Sequence, residues 1–381
     1  MHLNRLHQII HHFRQVALLA GPLLAILVYC LVPEQAAGLN GAEIALGTAG
    51  RATAGLAVWM AVWWLTEATS IYATALLPLA LMPLLDVSSI SETASAYAHP
   101  LIFLFLGGFI LALALEKWHL HHRFALMVLR LVGTKPATLV GGFMFVSATL
   151  SMWITNTATT LVMLPILLSI ISLLDKDAPN RKNFSLCLLL GVAYAASIGG
   201  IGTIVGTVPN MFTVSFIQNE LGMEIGFAKW MTIGLPIVLV FVPLAWWLLT
   251  RFIYPPGEEA IDRAFLDKPT EPWTTGAKLT LVIFILTAAC WICRPLMMKW
   301  PPLANLSDTG IAIISALLLF TIPVNLKRRE FLMDWATAIK IPWGVLLLFG
   351  GGLALAAAIR SSGVGELLAS QLDGLQGVHP L

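Results

Sequence analysis

Long apolar segments separated by short polar ones run along almost the whole chain. The longer segments have about 17 to 25 residues, which lets a helix cross a hydrocarbon core of about 30 Å. Several others are too short to cross alone, and none shows the alternation of a membrane β-barrel strand. The pattern predicts an all-α integral membrane protein. The apolar segments cover residues 16–32, 52–66, 71–85, 101–115, 139–150, 161–174, 186–198, 204–217, 230–253, 279–295, 309–324 and 343–359.

The composition agrees with this class. Hydrophobic residues make up 58% of the 381 residues, charged residues make up 11%, and the mean hydropathy is +0.85. Soluble domains are far more polar, so we expect a lipid bilayer around the chain. The net charge of +2 is too small to suggest a nucleic-acid partner.

The stretch SMWITNTATT, residues 151–160, is a polar segment between two apolar segments that are each too short to span a membrane. Asn156 suits a tight tip because it tolerates unusual backbone angles and can both donate and accept hydrogen bonds. We therefore predict a re-entrant helical hairpin over residues 137–174, which enters and leaves on one side. With this hairpin and a cytoplasmic N-terminus, 17 of the 22 Lys and Arg residues fall inside, as the positive-inside rule favours.

A second interruption is predicted in SIGGIGTIVGTVPN, residues 197–210. Four glycines and a proline there cannot continue a membrane helix, so the span 186–217 should be broken, although close helix packing is an alternative explanation of the glycines. Broken helices expose N–H groups that bind anions and C=O groups that bind cations. Neither interruption contains a charged residue. This neutral chemistry suits a small anion accompanied by cations better than proton coupling, which favours a buried carboxylate.

An internal repeat is visible in FLGGFILALALEK (105–117) and LFGGGLALAAAIR (348–360), which are 243 residues apart. The orientation above makes the two copies run in opposite directions, and inverted repeats are typical of secondary transporters. We therefore expect an N-terminal segment with the first membrane helix at 1–51, a first repeat at 52–253, a cytoplasmic linker at 254–276 and an incomplete second repeat at 277–381. The offset places a second polar tip near residue 398, so we expect this sequence to be a fragment or a truncated product.

Residues 116–132, EKWHLHHRFALMVLRLV, are predicted to form an amphipathic helix at the cytoplasmic interface. His119, His121 and His122 are either a metal cluster or, as is more typical, solvated interfacial side chains. An enzyme would need catalytic groups on facing membrane spans, whereas the histidines here lie outside the predicted spans. The chain is therefore expected not to be an enzyme.

Four stretches carry a family resemblance: WWLTEATSIYATALLPLALMPLL (63–85), SMWITNTATTLVMLP (151–165), SIGGIGTIVGTVPN (197–210) and LLLFGGGLAL (346–355). They resemble the divalent anion:sodium symporter family, and the resemblance extends over nearly the whole chain. It implies a carrier of dicarboxylates, tricarboxylates or sulfate, coupled mostly to sodium and working as a homodimer by an elevator movement.

The resemblance also implies roles for individual residues. Asn156 and Thr157 match the end of the family's Ser-Asn-Thr tip, which contacts the substrate carboxylate and the first sodium, and Thr155 stands where the family usually has Ser. The implied substrate-binding residues are thus Thr155, Asn156 and Thr157. The implied sodium ligands are Ser151, Thr155, Asn156, Gly199 and Gly202.

The expected function is sodium-coupled secondary transport of small divalent anions, above all C4-dicarboxylates such as succinate, across the inner membrane. No cofactor is expected besides sodium as the coupling ion. A sodium-independent dicarboxylate exchanger and a sulfate transporter of the same fold are alternatives. A membrane-embedded enzyme and a passive channel are more distant ones.

Overall fold

A computed structural model describes residues 2–37, 43–174, 180–258 and 272–373. Almost all the regular structure in these residues is helical, which confirms the all-α prediction. Six helical segments among them are long and apolar enough to cross a membrane, which confirms a multi-pass membrane protein. These segments are His12–Leu31, Ile90–Lys117, Arg181–Gly202, Phe227–Ile253, Thr275–Met297 and Trp343–Ser361.

The described part of the chain forms seventeen α-helices. They are α1 (His2–Leu31), α2 (Gly47–Thr66), α3 (Ile71–Thr74), α4 (Leu77–Leu84), α5 (Ile90–Tyr97), α6 (Pro100–Lys117), α7 (Leu120–Val132), α8 (Pro136–Ser151), α9 (Asn156–Leu173), α10 (Arg181–Gly199), α11 (Val208–Leu221), α12 (Phe227–Leu248), α13 (Thr275–Met297), α14 (Asp308–Thr321), α15 (Trp335–Ala338), α16 (Trp343–Ser361) and α17 (Val364–Asp373).

Two short antiparallel strand pairs were not expected from the sequence. Strand β1 (Gln35–Ala37) pairs with β2 (Glu43–Ala45), and β3 (Pro323–Asn325) pairs with β4 (Glu330–Phe331). Both pairs lie in connections between helices, so the helical class of the protein is unchanged.

The predicted hairpin at 137–174 appears as α8 and α9, and the predicted broken span at 186–217 appears as α10 and α11. The apolar segment 71–85 is divided between α3 and α4. Helix α13 begins at Thr275, just inside the predicted linker 254–276. Residues 259–271 of that linker and residues 374–381 of the second repeat lie outside the described residues.

The chain divides into two compact units, and the division falls in the first turn of α6. The first unit comprises Met1–Ile102 and Pro342–Leu381. In it, α1 packs along α2, where the Trp63 indole Nε1 donates a hydrogen bond to the Leu18 carbonyl at 3.2 Å. Helix α16 packs against α2 to α5, and Met60 and Met82 are fully buried in the resulting core.

The second unit, Phe103–Ile341, is centred on α8, α9 and α10. Phe143, Met144 and Phe184 are fully buried in its core. The Trp246 indole of α12 donates to the Ala137 carbonyl at 2.7 Å and so ties α12 to the start of α8. The packing of apolar side chains therefore holds both arms of the hairpin and the first half of the broken helix as one body.

The order of elements around the two sequence copies is similar. Helix α6 begins at residue 100 and α16 at residue 343, the same offset of 243 that the sequence copies show. A short helix precedes each, α5 or α15, and an amphipathic helix follows each, α7 or α17. The corner before the amphipathic helix has left-handed backbone in both places, at His119 (φ 53°) and at Gly363 (φ 78°). This recurrence supports the repeat, while the domain limits stay predictions.

Candidate functional site

The polar tip connects α8 to α9 within the second unit. Helix α8 ends at Ser151, the chain turns through residues 152–155, and α9 begins at Asn156. The Thr155 hydroxyl caps α9 by accepting a hydrogen bond from the Ala158 backbone N–H at 3.3 Å. The N–H groups of Asn156 and Thr157 have no acceptor inside the helix, as is general for a first turn. The tip therefore presents the positive end of a helix dipole, which favours anions.

A side-chain contact closes the tip. The Ser151 hydroxyl, fully buried at the end of α8, donates to Asn156 Oδ1 at 2.6 Å. The Thr160 hydroxyl donates to the Asn156 carbonyl at 2.8 Å and fixes the first turn of α9. The last carbonyl groups of α8 and the first side chains of α9 are thereby brought to the same place.

The second interruption, the break, comprises residues 200–207 between α10 and α11. Two 3-10 turns, Gly200–Gly202 and Ile204–Gly206, are separated by Thr203 in extended conformation (φ −133°, ψ 161°). Thr207 is extended as well, and Pro209 lies in the first turn of α11, where its missing N–H is tolerated. The α-helical hydrogen bonds stop over this segment, so its carbonyl groups need other partners.

The side-chain amide of Asn210 is one such partner. Its Nδ2 donates to the carbonyls of Gly200 and Thr203, both at 2.8 Å, and the residue is buried. The Thr203 hydroxyl donates to the Met152 carbonyl of the tip. The Trp230 indole of α12 donates to the Ile201 carbonyl at 2.9 Å. These bonds hold the break in one conformation and join it to the hairpin.

Oxygen atoms from the tip and the break converge. A Cβ atom on Gly200 would lie 2.5 Å from Asn156 Oδ1, and one on Gly206 would lie 2.4 Å from the Gly200 carbonyl oxygen and 2.9 Å from that of Ser151. Glycine is favoured at both positions because a Cβ atom would clash with these oxygens. The oxygens lie in two pairs: the Ser151 hydroxyl and Asn156 Oδ1 are 2.6 Å apart, and the Ser151 and Gly200 carbonyl oxygens both face Gly206. We refer to these four neutral oxygens as the oxygen cluster. Such donors suit a hard cation.

The sequence-predicted residues differ in their positions around this oxygen cluster. Ser151 and Asn156 are in it, whereas Thr155 uses its hydroxyl as a helix cap and Thr157 is exposed. Gly199 lies against the Ala148 backbone, where a Cβ would be 2.2 Å from the carbonyl oxygen, and Gly202 lies against Met152. Gly200 is therefore the glycine of this run that faces Asn156. The ligand roles of all these residues stay predictions.

Sequence reasoning missed Gly200, Thr203 and Asn210 as members of the site. Asn210 is the last residue of the stretch 197–210. An amide side chain directly after a predicted helix break was the signal available in the sequence. The hydroxyl of Thr159, on the first turn of α9, is also buried and has no hydrogen-bond partner. Since buried polar groups are nearly always paired, Thr159 is a further candidate for contact with a ligand.

An aromatic cluster anchors the tip. Trp153 stacks with Phe227 and Trp291 at ring-centroid distances of 5.9 and 6.4 Å, and it meets Phe284 edge-on at 4.9 Å. The Trp291 indole donates to the Asp308 carbonyl at 2.9 Å. Trp153 therefore fixes the loop of the hairpin to α12 and α13.

Comparisons with known proteins identify the family of the chain. A family model described as "Citrate transporter" matches residues 61–381. The sodium-dependent dicarboxylate transporter SdcS of Staphylococcus aureus, from strains USA300 and MSSA476, is 38% identical over 381 aligned positions, which cover 96% of this chain and 71% of the relative. Since the family match covers most of the chain and these relatives align over more than two thirds of their length, the chain belongs to the divalent anion:sodium symporter family and is a membrane transporter rather than an enzyme.

Proposed function

We propose that this protein moves C4-dicarboxylates such as succinate across the inner membrane together with sodium ions. The observation that carries the proposal is the convergence of four neutral oxygens from two interrupted helices, directly beside the open N-terminus of α9. A cation site beside an anion site would explain how a chain with no charged residue in either interruption binds both sodium and a dicarboxylate.

Sodium would bind in the oxygen cluster. The Ser151 hydroxyl now donates to Asn156 Oδ1. Rotation of its hydrogen away from Asn156 would leave a lone pair of each oxygen available to a cation. Gly200 and Ser151 would add their carbonyls, and the Asn210 amide already orients the Gly200 carbonyl. Pre-oriented ligands lower the entropic cost of binding.

The dicarboxylate would bind on the α9 side of the tip. One carboxylate would accept hydrogen bonds from the backbone N–H groups of Asn156 and Thr157, the Asn156 amide and the exposed Thr157 hydroxyl. The adjacent sodium would offset its charge, so that neither ion enters the site easily without the other. This mutual dependence is the physical basis of symport.

Sulfate and citrate would satisfy the same donors, and a family model described as "Citrate transporter" covers this chain. The name of the sodium-dependent dicarboxylate transporter SdcS supports the choice of a dicarboxylate. We further propose that the hairpin is re-entrant from the cytoplasmic side, that the N-terminus is cytoplasmic, and that homodimers work by an elevator movement. The distribution of Lys and Arg supports the orientation.

The test is uptake of radiolabelled succinate into vesicles that contain the purified protein, with an inward sodium gradient and with a matched potassium gradient. We expect saturable uptake that needs the sodium gradient, with unlabelled citrate and sulfate as competitors that define the substrate range. Sodium-independent counterflow would support the exchanger instead. Failure to take up succinate, citrate or sulfate by folded protein would overturn the proposal.

A further inference from the structure

Three histidines gather at the corner between α6 and α7, outside the two interruptions that are assigned to transport. Their ligand atoms, in His119, His121 and His122, all lie within 4.8 Å of one another. The cluster depends on the left-handed backbone at His119 (φ 53°, ψ 27°), which folds this residue back beside the first turn of α7. Histidine is one of the few non-glycine residues enriched in that conformation.

His121 is the unusual member because the residue is 4% exposed and its Nδ1 has no hydrogen-bond partner. The ring does hydrogen-bond the Leu115 backbone, and this bond must therefore use Nε2. An unpaired buried acceptor is destabilising, and solvation at the membrane interface cannot satisfy a nitrogen that is shielded from solvent. Metal-bound histidines commonly donate their second ring N–H to a backbone carbonyl, as His121 does.

The electrostatics around the cluster permit a cation. The nearby basic side chains point to other partners: Lys117 pairs with Asp334 at 2.6 Å, and the Arg123 guanidinium lies 5.0 Å from the Trp273 ring centre.

We propose that His119, His121 and His122 bind one transition-metal ion such as Zn²⁺, with water as the fourth ligand. Imidazole nitrogen is a preferred ligand for zinc, copper and nickel. A tetrahedral zinc with Zn–N distances of about 2.0 to 2.1 Å needs ligand nitrogens about 3.3 Å apart. Rotation of the exposed His119 and the half-buried His122 toward the fixed His121 closes the present separation.

The second corner of the fold provides a well-matched variant. Gly363 has the same left-handed backbone before α17 that His119 has before α7. The substitution His119→Gly should therefore keep the corner and remove only one ligand, since glycine adopts this conformation without strain. His122→Gln removes a second ligand and keeps a polar side chain.

The experiment uses the full chain purified without a polyhistidine tag. Co²⁺ is titrated while the visible absorption of tetrahedral cobalt is followed, and Zn²⁺ is then added to displace it. We expect one Co²⁺ per chain in the wild type, at least about tenfold weaker binding in His119→Gly and in His122→Gln, and wild-type binding in His12→Gln, a control at an exposed histidine of α1.

Thermal unfolding without metal checks that each variant is folded. Wild-type melting temperature together with weakened Co²⁺ binding in both cluster variants would support the site. No stoichiometric Co²⁺ or Zn²⁺ binding by the wild type would overturn it, and so would unchanged affinity in both cluster variants.

Discussion

The hairpin tip and the glycine-rich break interrupt their helices by different means. The tip contributes side-chain groups, the Ser151 hydroxyl and the Asn156 amide, which meet at 2.6 Å. The break contributes backbone carbonyls, and one buried amide, that of Asn210, holds two of them in place. Changes in the tip should therefore remove chemical groups from the site, whereas changes in the break should displace groups that remain.

The largest expected effect is that of Asn156→Ala in the tip. Asn156 would contact both sodium and the carboxylate, and one hydrogen bond to a charged group contributes about 1.5 to 3 kcal/mol. We expect sodium-driven succinate uptake to fall by about 100-fold or more. The measurement is the initial uptake rate per amount of protein in the membrane. Asn219→Ala, at an exposed position of α11, is the control, and uptake by Asn156→Ala within a few fold of that control would contradict the assignment.

Gly200→Ala tests the break where it faces the tip. The added Cβ would lie 2.5 Å from Asn156 Oδ1 and must push that side chain aside. We expect the sodium concentration for half-maximal uptake to rise by about tenfold. This change corresponds to about 1.4 kcal/mol, which is the contribution of roughly one contact.

Gly108→Ala is the matched control for this change. Its Cβ would meet Val205 at 3.4 Å, an ordinary contact distance, so sodium dependence should stay at the wild-type value. If the two alanine variants need the same sodium concentration, Gly200 does not adjoin the ion.

Asn210→Ala tests how the break keeps its shape. The substitution removes two hydrogen bonds of 2.8 Å and leaves the carbonyls of Gly200 and Thr203 without this partner. We expect a loss of about 1 to 3 kcal/mol in the free energy of unfolding, seen as a lower melting temperature in detergent, together with weaker sodium dependence. Asn219→Ala serves again as the control, and equal melting temperatures for the two variants would show that the Asn210 bonds carry no stability.

The smallest effects are expected at Thr155, which caps α9. Thr155→Ser keeps the hydroxyl that accepts from Ala158, so stability and uptake should stay close to the wild type. Thr155→Ala removes the cap and should cost about 1 kcal/mol. Melting temperature and uptake are measured for both variants. Equal losses in the two would mean that the methyl group, rather than the cap, is what matters.

Much of the fold was readable because hydrophobic periodicity is local. The hairpin was expected at 137–174 and found over Pro136–Leu173, since apolar runs and the polar tip mark its arms. The broken helix extends beyond its expected limits of 186–217 to Arg181 and Leu221, because its end turns carry polar residues that the apolar pattern omits. The segment 71–85 was expected as one span, but a new helix, α4, begins there at Leu77 with Pro78 in its first turn.

The sequence by itself determined the membrane class and the two interruptions, and it marked Ser151 and Asn156 as candidate site residues, because residue type sets hydrophobicity, helix breaking and hydrogen-bonding groups. Only the tertiary structure decided which glycine faces Asn156, which carbonyls turn toward the oxygen cluster, and that His121 is buried with an unpaired nitrogen beside two other histidines. Those properties depend on backbone angles and on contacts between residues that are distant in the chain. Every residue carries the same carbonyl group, so only the fold can give one of them a function.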